Sequence, residues 1–290
     1  MLQFLLLTGG LMGTNQEEIH TRQNQDLKRR LDTMIEIENL EQGTPEWLQA
    51  RAARITASRA ADFSSPSSLA PIPDVKITKE GKVNYCIFDG VTYEHTSKLE
   101  LQKMIRESLP RVYSEMRNGY MNELIGQVCT GEIKEQASFK QAEWGHENED
   151  IARSIFEFET SKEVRQVGFI YKDDDQRAGI SPDGLIVDED SGLEIKCPWD
   201  TKWHVDFILA EKIKPEYIEQ CQFSMWVAGY KRWYFASYDP RMKSKRLHYV
   251  TIERDEEFMK KYDEAYTVFI SEMDKKLASI GFNFSDIYTK

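Results

Sequence analysis

The chain has 290 residues, 40% hydrophobic and 30% charged, with 38 Lys+Arg against 49 Asp+Glu and a formal net charge of -11. That length can bury a substantial core as one large domain or two small ones, and the acidic balance argues against a protein that meets nucleic acid over its whole surface, though not against a local basic groove. The four cysteines, Cys86, Cys129, Cys197 and Cys221, form no CxxC pair or His/Cys cluster, which argues against zinc and iron–sulfur sites and fits reduced thiols in the cytoplasm.

The opening MLQFLLLTGGLMG has too short an apolar run, with no basic residue before it, for a secretory leader, and no stretch reaches membrane-spanning length. Residues 1–40 are expected as an N-terminal extension: a frayed start, a functional start at Met12, and a peripheral helix over 14–41 on Leu27, Leu31, Met34 and Ile35. Residues 41–290 are expected as a single domain carrying a surface insertion at 64–110. Gly43-Thr44-Pro45-Glu46 starts a helix, with Thr44 as N-cap and Pro45 in its first position. The spacing brings Trp47, Ala50, Arg51 and Arg54 to one face. Residues 55–58 break it, and Ser58 is placed to cap a second short helix through Phe63.

Residues 64–92, rich in Ser, Pro, Gly and Lys, read as an insertion with a small hairpin. Helices are expected over 93–108, stopped by Pro110, over 114–129, with Gly131 beyond the end, and over 138–159, carrying Trp144, Glu149, Ala152, Ile155, Phe156 and Phe158. A strand over 162–171 and a hairpin over 178–197 come next. Helices over 200–210 and 214–228 follow, the second with Tyr217, Gln220 and Ser224 on one face. Strands over 232–238 and 247–252 and a helix over 253–277 complete the chain. This order predicts an α/β fold, a mixed central β-sheet flanked by helices on both faces.

The hairpin reads SPDGLIVDEDSGLEIKCP. Alternation along its second strand points Glu194 and Lys196 one way and Leu193, Ile195 and Cys197 into apolar packing. Pairing of the two strands sets Asp183 beside Glu194. Two carboxylates that close repel unless a cation lies between them. A hard divalent cation takes oxygen ligands, here Asp183, Glu194 and the Ile195 carbonyl, and keeps several waters. It makes a bound water more acidic, while Lys196 could position that water or neutralise charge on a phosphate. A solvated hairpin with an acidic turn fits the same spacing.

The segments EQGTPEWLQARAARITAS, CTGE, EWGHENEDIARSIFEF, SPDGL, GLEIKCPW, YIEQCQFSMWV, WYFASYDPRMK and LHYVTIERDE, in this order, resemble the phage lambda exonuclease family of the PD-(D/E)XK nuclease superfamily. The resemblance runs from about residue 40 to the end, apart from the 64–110 insertion. It implies a PD-(D/E)XK nuclease core and a processive, Mg2+-dependent 5′-to-3′ exonuclease on double-stranded DNA, with Mn2+ as a substitute and two ions per site. It further implies release of 5′-mononucleotides, 3′ single-stranded tails for recombination by a single-strand annealing protein, and a homotrimeric ring around DNA ends in the host cytoplasm, with no membrane.

By position, the resemblance gives Asp183, Glu194 and Lys196 the catalytic roles, adds Glu149 from the helix before the sheet, and has Gln220 hold the site. Asp183, Glu194 and Ile195 would take the metal. Arg51, Ser58 and Ser181 match a pocket for a terminal 5′ phosphate, with Trp47 beside it; a forked guanidinium with hydroxyl donors suits a phosphate dianion. Lys202 is a candidate phosphate contact, and the run Arg241, Lys243, Lys245, Arg246 reads either as a solvated turn or as a DNA or subunit contact. The turn between Asp183 and Glu194 is one residue longer than the family pattern, and Ala142 stands where the family has a bulky duplex-splitting residue, so strand separation falls to another residue. Two other readings stay open: an endonuclease of the same superfamily, and a non-catalytic DNA-end-binding protein.

Overall fold

A computed structural model describes residues 34–69, 74–109, 111–133 and 140–288. The extension before Met34, the stop at Pro110 and the expected helix start at Ser138 lie outside them, as does the side chain of Ala142.

Ile35–Ile37 (β1) is a strand, not the end of the helix expected over 14–41. It pairs antiparallel with Phe169–Tyr171, and ladder pairing with a distant segment overrides local helical spacing. Helix Pro45–Arg51 (α1) begins as the sequence predicts, Trp47 N donating to Thr44 Oγ1 at 3.3 Å. It ends sooner than expected: Ala53 takes a φ of 57°, and Arg54 leaves the face shared by Trp47 and Arg51 for the core. Ile55–Thr56 (β2) follows. Ser58 caps nothing. It lies exposed in the tight turn Ala57–Arg59, because Ala57 and Ala60 on either side are the buried anchors, and helix Ala60–Phe63 (α2) starts without a side-chain cap.

The segment expected as an insertion holds more than a hairpin. Ser68–Leu69 (β3) pairs with Arg111–Val112 at its base. Thr78–Glu80 (β4), Val83–Phe88 (β5) and Val91–His95 (β6) form an antiparallel sheet. Helix Lys98–Ser108 (α3) packs on it through Leu101 and Ile105 against Cys86. The helix starts later than residue 93 because the strand β6 occupies those residues.

After Arg111–Val112 (β7) come Glu115–Thr130 (α4), closed by Gly131 at φ 64°, and Lys140–Thr160 (α5). The stretch expected as one strand over 162–171 is two: Val164–Arg165 (β8) and Phe169–Tyr171 (β9), in different sheets. Gly168 divides them; a Cβ there would sit 2.1 Å from the Leu40 carbonyl oxygen, so only glycine lets the two backbones pass. β9 joins a four-stranded sheet with β1, Ala178–Ile180 (β10) and β2.

The main sheet holds Gly184–Ile186 (β11), Ser191–Lys196 (β12), Arg232–Tyr238 (β13) and Leu247–Glu253 (β14) in the order β14-β13-β12-β11-β8. The β12–β13 pair is parallel and the others antiparallel. A parallel pair needs a long crossover, and Thr201–Ala210 (α6) with Pro215–Ala228 (α7) supplies it. Glu256–Ser279 (α8) closes the domain. Alternation sorts the sheet's two faces: Trp233 and Phe235 join a core with Phe63, Phe223, Trp226, Tyr262 and Phe269, while Tyr234, Ala236 and Tyr238 join Leu193, Ile195 and, from α5, Ala152 and Phe156. Helices therefore cover both faces, as the sequence predicts. Among the described residues no helix is long and apolar enough to cross a membrane.

Candidate active site

Ser181-Pro182-Asp183 is the segment that carries the chain from the four-stranded sheet into the main one. The β11–β12 register, Gly184 opposite Leu193, puts Asp183 opposite Glu194 one step further on. Asp183 Oδ2 accepts from Ile195 N at 2.6 Å. The N–H and C=O of one strand residue point to the same side, so the Ile195 carbonyl also projects past the end of β11 towards Asp183. Leu193 and Ile195 are buried, and Cys197 packs beside them.

On the opposite face Glu194, 3% exposed, accepts from Gln220 Nε2 at 2.7 Å and from Lys196 Nζ at the same Oε1. Gln220 reaches it from α7, where helical spacing also sets Tyr217 against Lys196. Glu149 arrives from α5: its Oε1 accepts from Arg153 Nη2 at 2.8 Å, one helical turn on. Arg153, which the sequence reading passed over, ties the groups together. Its Nε donates to the Asp183 carbonyl at 2.8 Å and its Nη1 to Asp150 at 2.6 Å. The Glu149–Arg153 spacing of four was the only signal for it.

The charges are unbalanced. Burial first, then the Glu194 and Glu149 charges, push the Asp183 carboxyl well above the ordinary carboxylate range. Burial likewise raises Glu149, against the pull of Arg153. For Lys196 burial opposes the charged form, but the Glu194 and Asp183 carboxylates outweigh it and hold the ammonium protonated. Excess negative charge on oxygen donors is the environment a hard cation relieves. Among the described residues no three acidic, His or Cys side chains stand close enough to hold an ion alone. Two carboxylates, the Ile195 carbonyl and waters fit Mg2+, which dehydrates reluctantly.

A second cluster adjoins the first through Ser181. Its Oγ accepts from Trp47 Nε1 at 2.9 Å and from Arg51 Nη1 at 3.1 Å, and the guanidinium lies 4.1 Å over the Trp47 ring. Among the described residues no carboxylate pairs with Arg51, neither Glu46 nor Asp62, which binds Arg59. Ser58 lies exposed two residues beyond Thr56, which pairs with Gly179 of β10, and among the described residues it makes no hydrogen bond to Arg51 or Ser181. Lys202 lies exposed in the first turn of α6.

Of the basic run at 241–246, Arg241 is structural. It pairs with Asp239 at 2.8 Å, donates to the carbonyls of Trp199 and Pro198, and lies over Trp144. Burial opposes ionisation of Asp239, but hydrogen bonds from Arg241 and Thr201 outweigh it and bring the carboxyl down to about 2. A folded value below the unfolded one, near 4, stabilises the fold above pH 4 and loses that contribution as pH falls through 2, about 2 kcal/mol in all. Asp239→Asn should therefore lower the urea midpoint at pH 7, and the gap from wild type should narrow between pH 4 and pH 2.

Residues 100–231 match the YqaJ-like viral recombinase domain, a span that holds Glu149, Asp183, Glu194, Lys196 and Gln220 but not Trp47 or Arg51. An Escherichia coli protein, "Putative uncharacterized protein ExoD", is 54% identical over 76 residues, 26% of this chain and 87% of that protein. The alkaline exonuclease LHK-Exo of Laribacter hongkongensis aligns at 29% identity over 82% of this chain and 96% of its own, with a TM-score of 0.60, both alone and in complex with dAMP. A phage-related exonuclease of Haemophilus somnus shares the fold at 13% identity, over 79% of this chain and 96% of its own, with a TM-score of 0.52. With a PD-(D/E)XK fold and these relatives, the chain belongs to the YqaJ-like viral recombinase family.

Proposed function

We propose that the protein is a Mg2+-dependent DNA exonuclease that degrades one strand of a duplex from its 5′ end. It would release 5′-mononucleotides and leave 3′ single-stranded tails. The observation that carries this reading is the convergence of Asp183, Glu194 and Lys196 at one strand end, with Glu149 and Gln220 from flanking helices. The aligned alkaline exonuclease supports the same reaction class.

A divalent cation bound by Asp183, Glu194 and the Ile195 carbonyl would supply positive charge against the phosphate and acidify a water. The chain's own groups do the rest. Lys196, kept protonated by its carboxylate neighbours, donates to a non-bridging phosphate oxygen or orients the attacking water. Gln220 fixes Glu194, and Arg153 fixes the Asp183 backbone and the Glu149 carboxylate. Arg51 and Ser181 hold the terminal 5′ phosphate through a charged fork and a hydroxyl, with Trp47 keeping both in place. This sets which phosphodiester reaches the carboxylates next. A homotrimeric ring and an annealing partner for the 3′ tails belong to the same proposal, as does a second ion.

Arg51→Ala should abolish the preference for 5′-phosphorylated over 5′-hydroxyl ends, at least about tenfold in rate if one charge-assisted contact is lost. Equal wild-type rates on the two ends would remove the pocket. A covalently closed circular duplex tests the exonuclease against the endonuclease reading. The exonuclease leaves it intact while consuming the linear form; nicking of the circle would overturn it.

A further inference from the structure

Lys196 opens on its outer side into a cleft of about 720 Å³ between the β12 end, α6 and the start of α7. Cations and aromatic rings alternate along it. Lys196 Nζ lies 5.2 Å from the Tyr217 ring centre; Lys214 Nζ lies 5.5 Å from the same ring and 4.4 Å from that of Trp203; Lys202 Nζ lies 4.6 Å from Trp203. Tyr217 is fixed from behind by stacking on Phe235 at 5.5 Å. The Trp203 indole, by contrast, is half exposed and sits on a short helix flanked by two lysines.

We propose that this ladder, Tyr217–Lys214–Trp203–Lys202, is a binding track for unpaired nucleotides of the DNA strand that passes Lys196. The inference rests on the nuclease reading of Lys196 and extends it to a surface the reaction itself does not use. Bases have apolar faces that stack on rings whatever their sequence, and phosphates between them need cations at intervals; a groove that interleaves the two suits single strands. A duplex keeps its base faces covered and has no use for exposed rings. Charge favours the same occupant. On a chain of net charge -11, Lys212 and Lys214 line one cleft with Lys196, and Lys202 stands over the Trp203 ring beside it, so a polyanion is drawn here and repelled from most of the remaining surface. Two acidic groups share the wall: Asp200, occupied in capping α6, and Asp206. Among the described residues Lys214 has only a loose ion pair, 3.9 Å, with Glu216.

The test is anisotropy titration of a fluorescein-labelled, 5′-phosphorylated single-stranded oligonucleotide carrying 2-aminopurine, in chelator so that no cleavage occurs. Wild type should quench the 2-aminopurine on binding. Trp203→Ala should weaken binding roughly tenfold and lose the quench, and Trp203→Phe should restore most of both. Lys214→Gln should lower the slope of log affinity against log salt by about 0.7, one phosphate contact on a single strand. Affinity unchanged in Trp203→Ala, or a blunt duplex bound with the same dependence on Trp203, would overturn the track. If Trp203→Ala does not fold, the quench in wild type and the Lys214→Gln slope decide instead. Cleavage of linear duplex by wild type, assayed in parallel, separates the two claims: intact cleavage without a Trp203 effect sinks the track alone, whereas absent cleavage sinks the nuclease reading.

Discussion

Lys196→Ala should lower DNA cleavage by about a thousandfold while the protein stays folded, the scale seen when one preorganised donor to a developing negative charge is removed. The reason lies in its surroundings. Nζ pairs with Glu194, and the Asp183 charge adds to the pull, so the group remains an ammonium despite its burial. An ammonium cannot take a proton from water, so its work is to donate hydrogen bonds and positive charge. Folding survives because Gln220 still donates to Glu194, so the buried carboxylate keeps a hydrogen-bond partner. Rates should not rise steeply with pH in the variant, since no base has been lost. Cleavage by Lys196→Ala within tenfold of wild type, measured by release of acid-soluble nucleotide, would place the chemistry elsewhere.

Arg153→Ala should cost about 3 kcal/mol of stability and most of the activity together, since it strips partners from a buried carbonyl and a carboxylate at once. Arg153 is 7% exposed and meets Glu149, Asp150 and the Asp183 carbonyl through separate nitrogens. Without it Glu149 loses the neighbouring charge that most favours its ionisation, and its carboxyl, already raised by burial, should rise further. Arg153→Lys should recover little, because a single ammonium cannot span three acceptors as a planar fork does. Urea denaturation read beside the cleavage rate checks both effects. A variant as stable as wild type would mean that the clamp contributes only position.

How far the sequence spoke depends on the range of the forces involved. The β11–β12 hairpin was legible because alternation and an acidic turn are local, and its register follows from pairing across that turn. The start of α1 was legible through Thr44 and Pro45, which act within one turn of the helix. What failed was non-local. β1 looks helical until it meets β9, and the division of 162–171 into two strands is set by Gly168 passing Leu40, more than a hundred residues earlier in the chain. Ser58 was expected as an N-cap, yet it lies exposed between buried alanines and the short helix starts without a side-chain cap. Arg153 reads as an ordinary charged residue on an exposed helix; only the strand end beneath it makes it a clamp. The cation–aromatic ladder joins α6 to the start of α7, and no spacing rule across that loop would have paired Trp203 with Lys214.

The most direct test of the account is digestion of a linear duplex labelled at the 5′ end of one strand or, separately, at its 3′ end, with Mg2+ and with excess chelator. With Mg2+, the 5′ label should leave at once as a mononucleotide while the 3′ label persists on a shortening strand; chelator should stop both. Early loss of the 3′ label, or undiminished release in chelator, would contradict it.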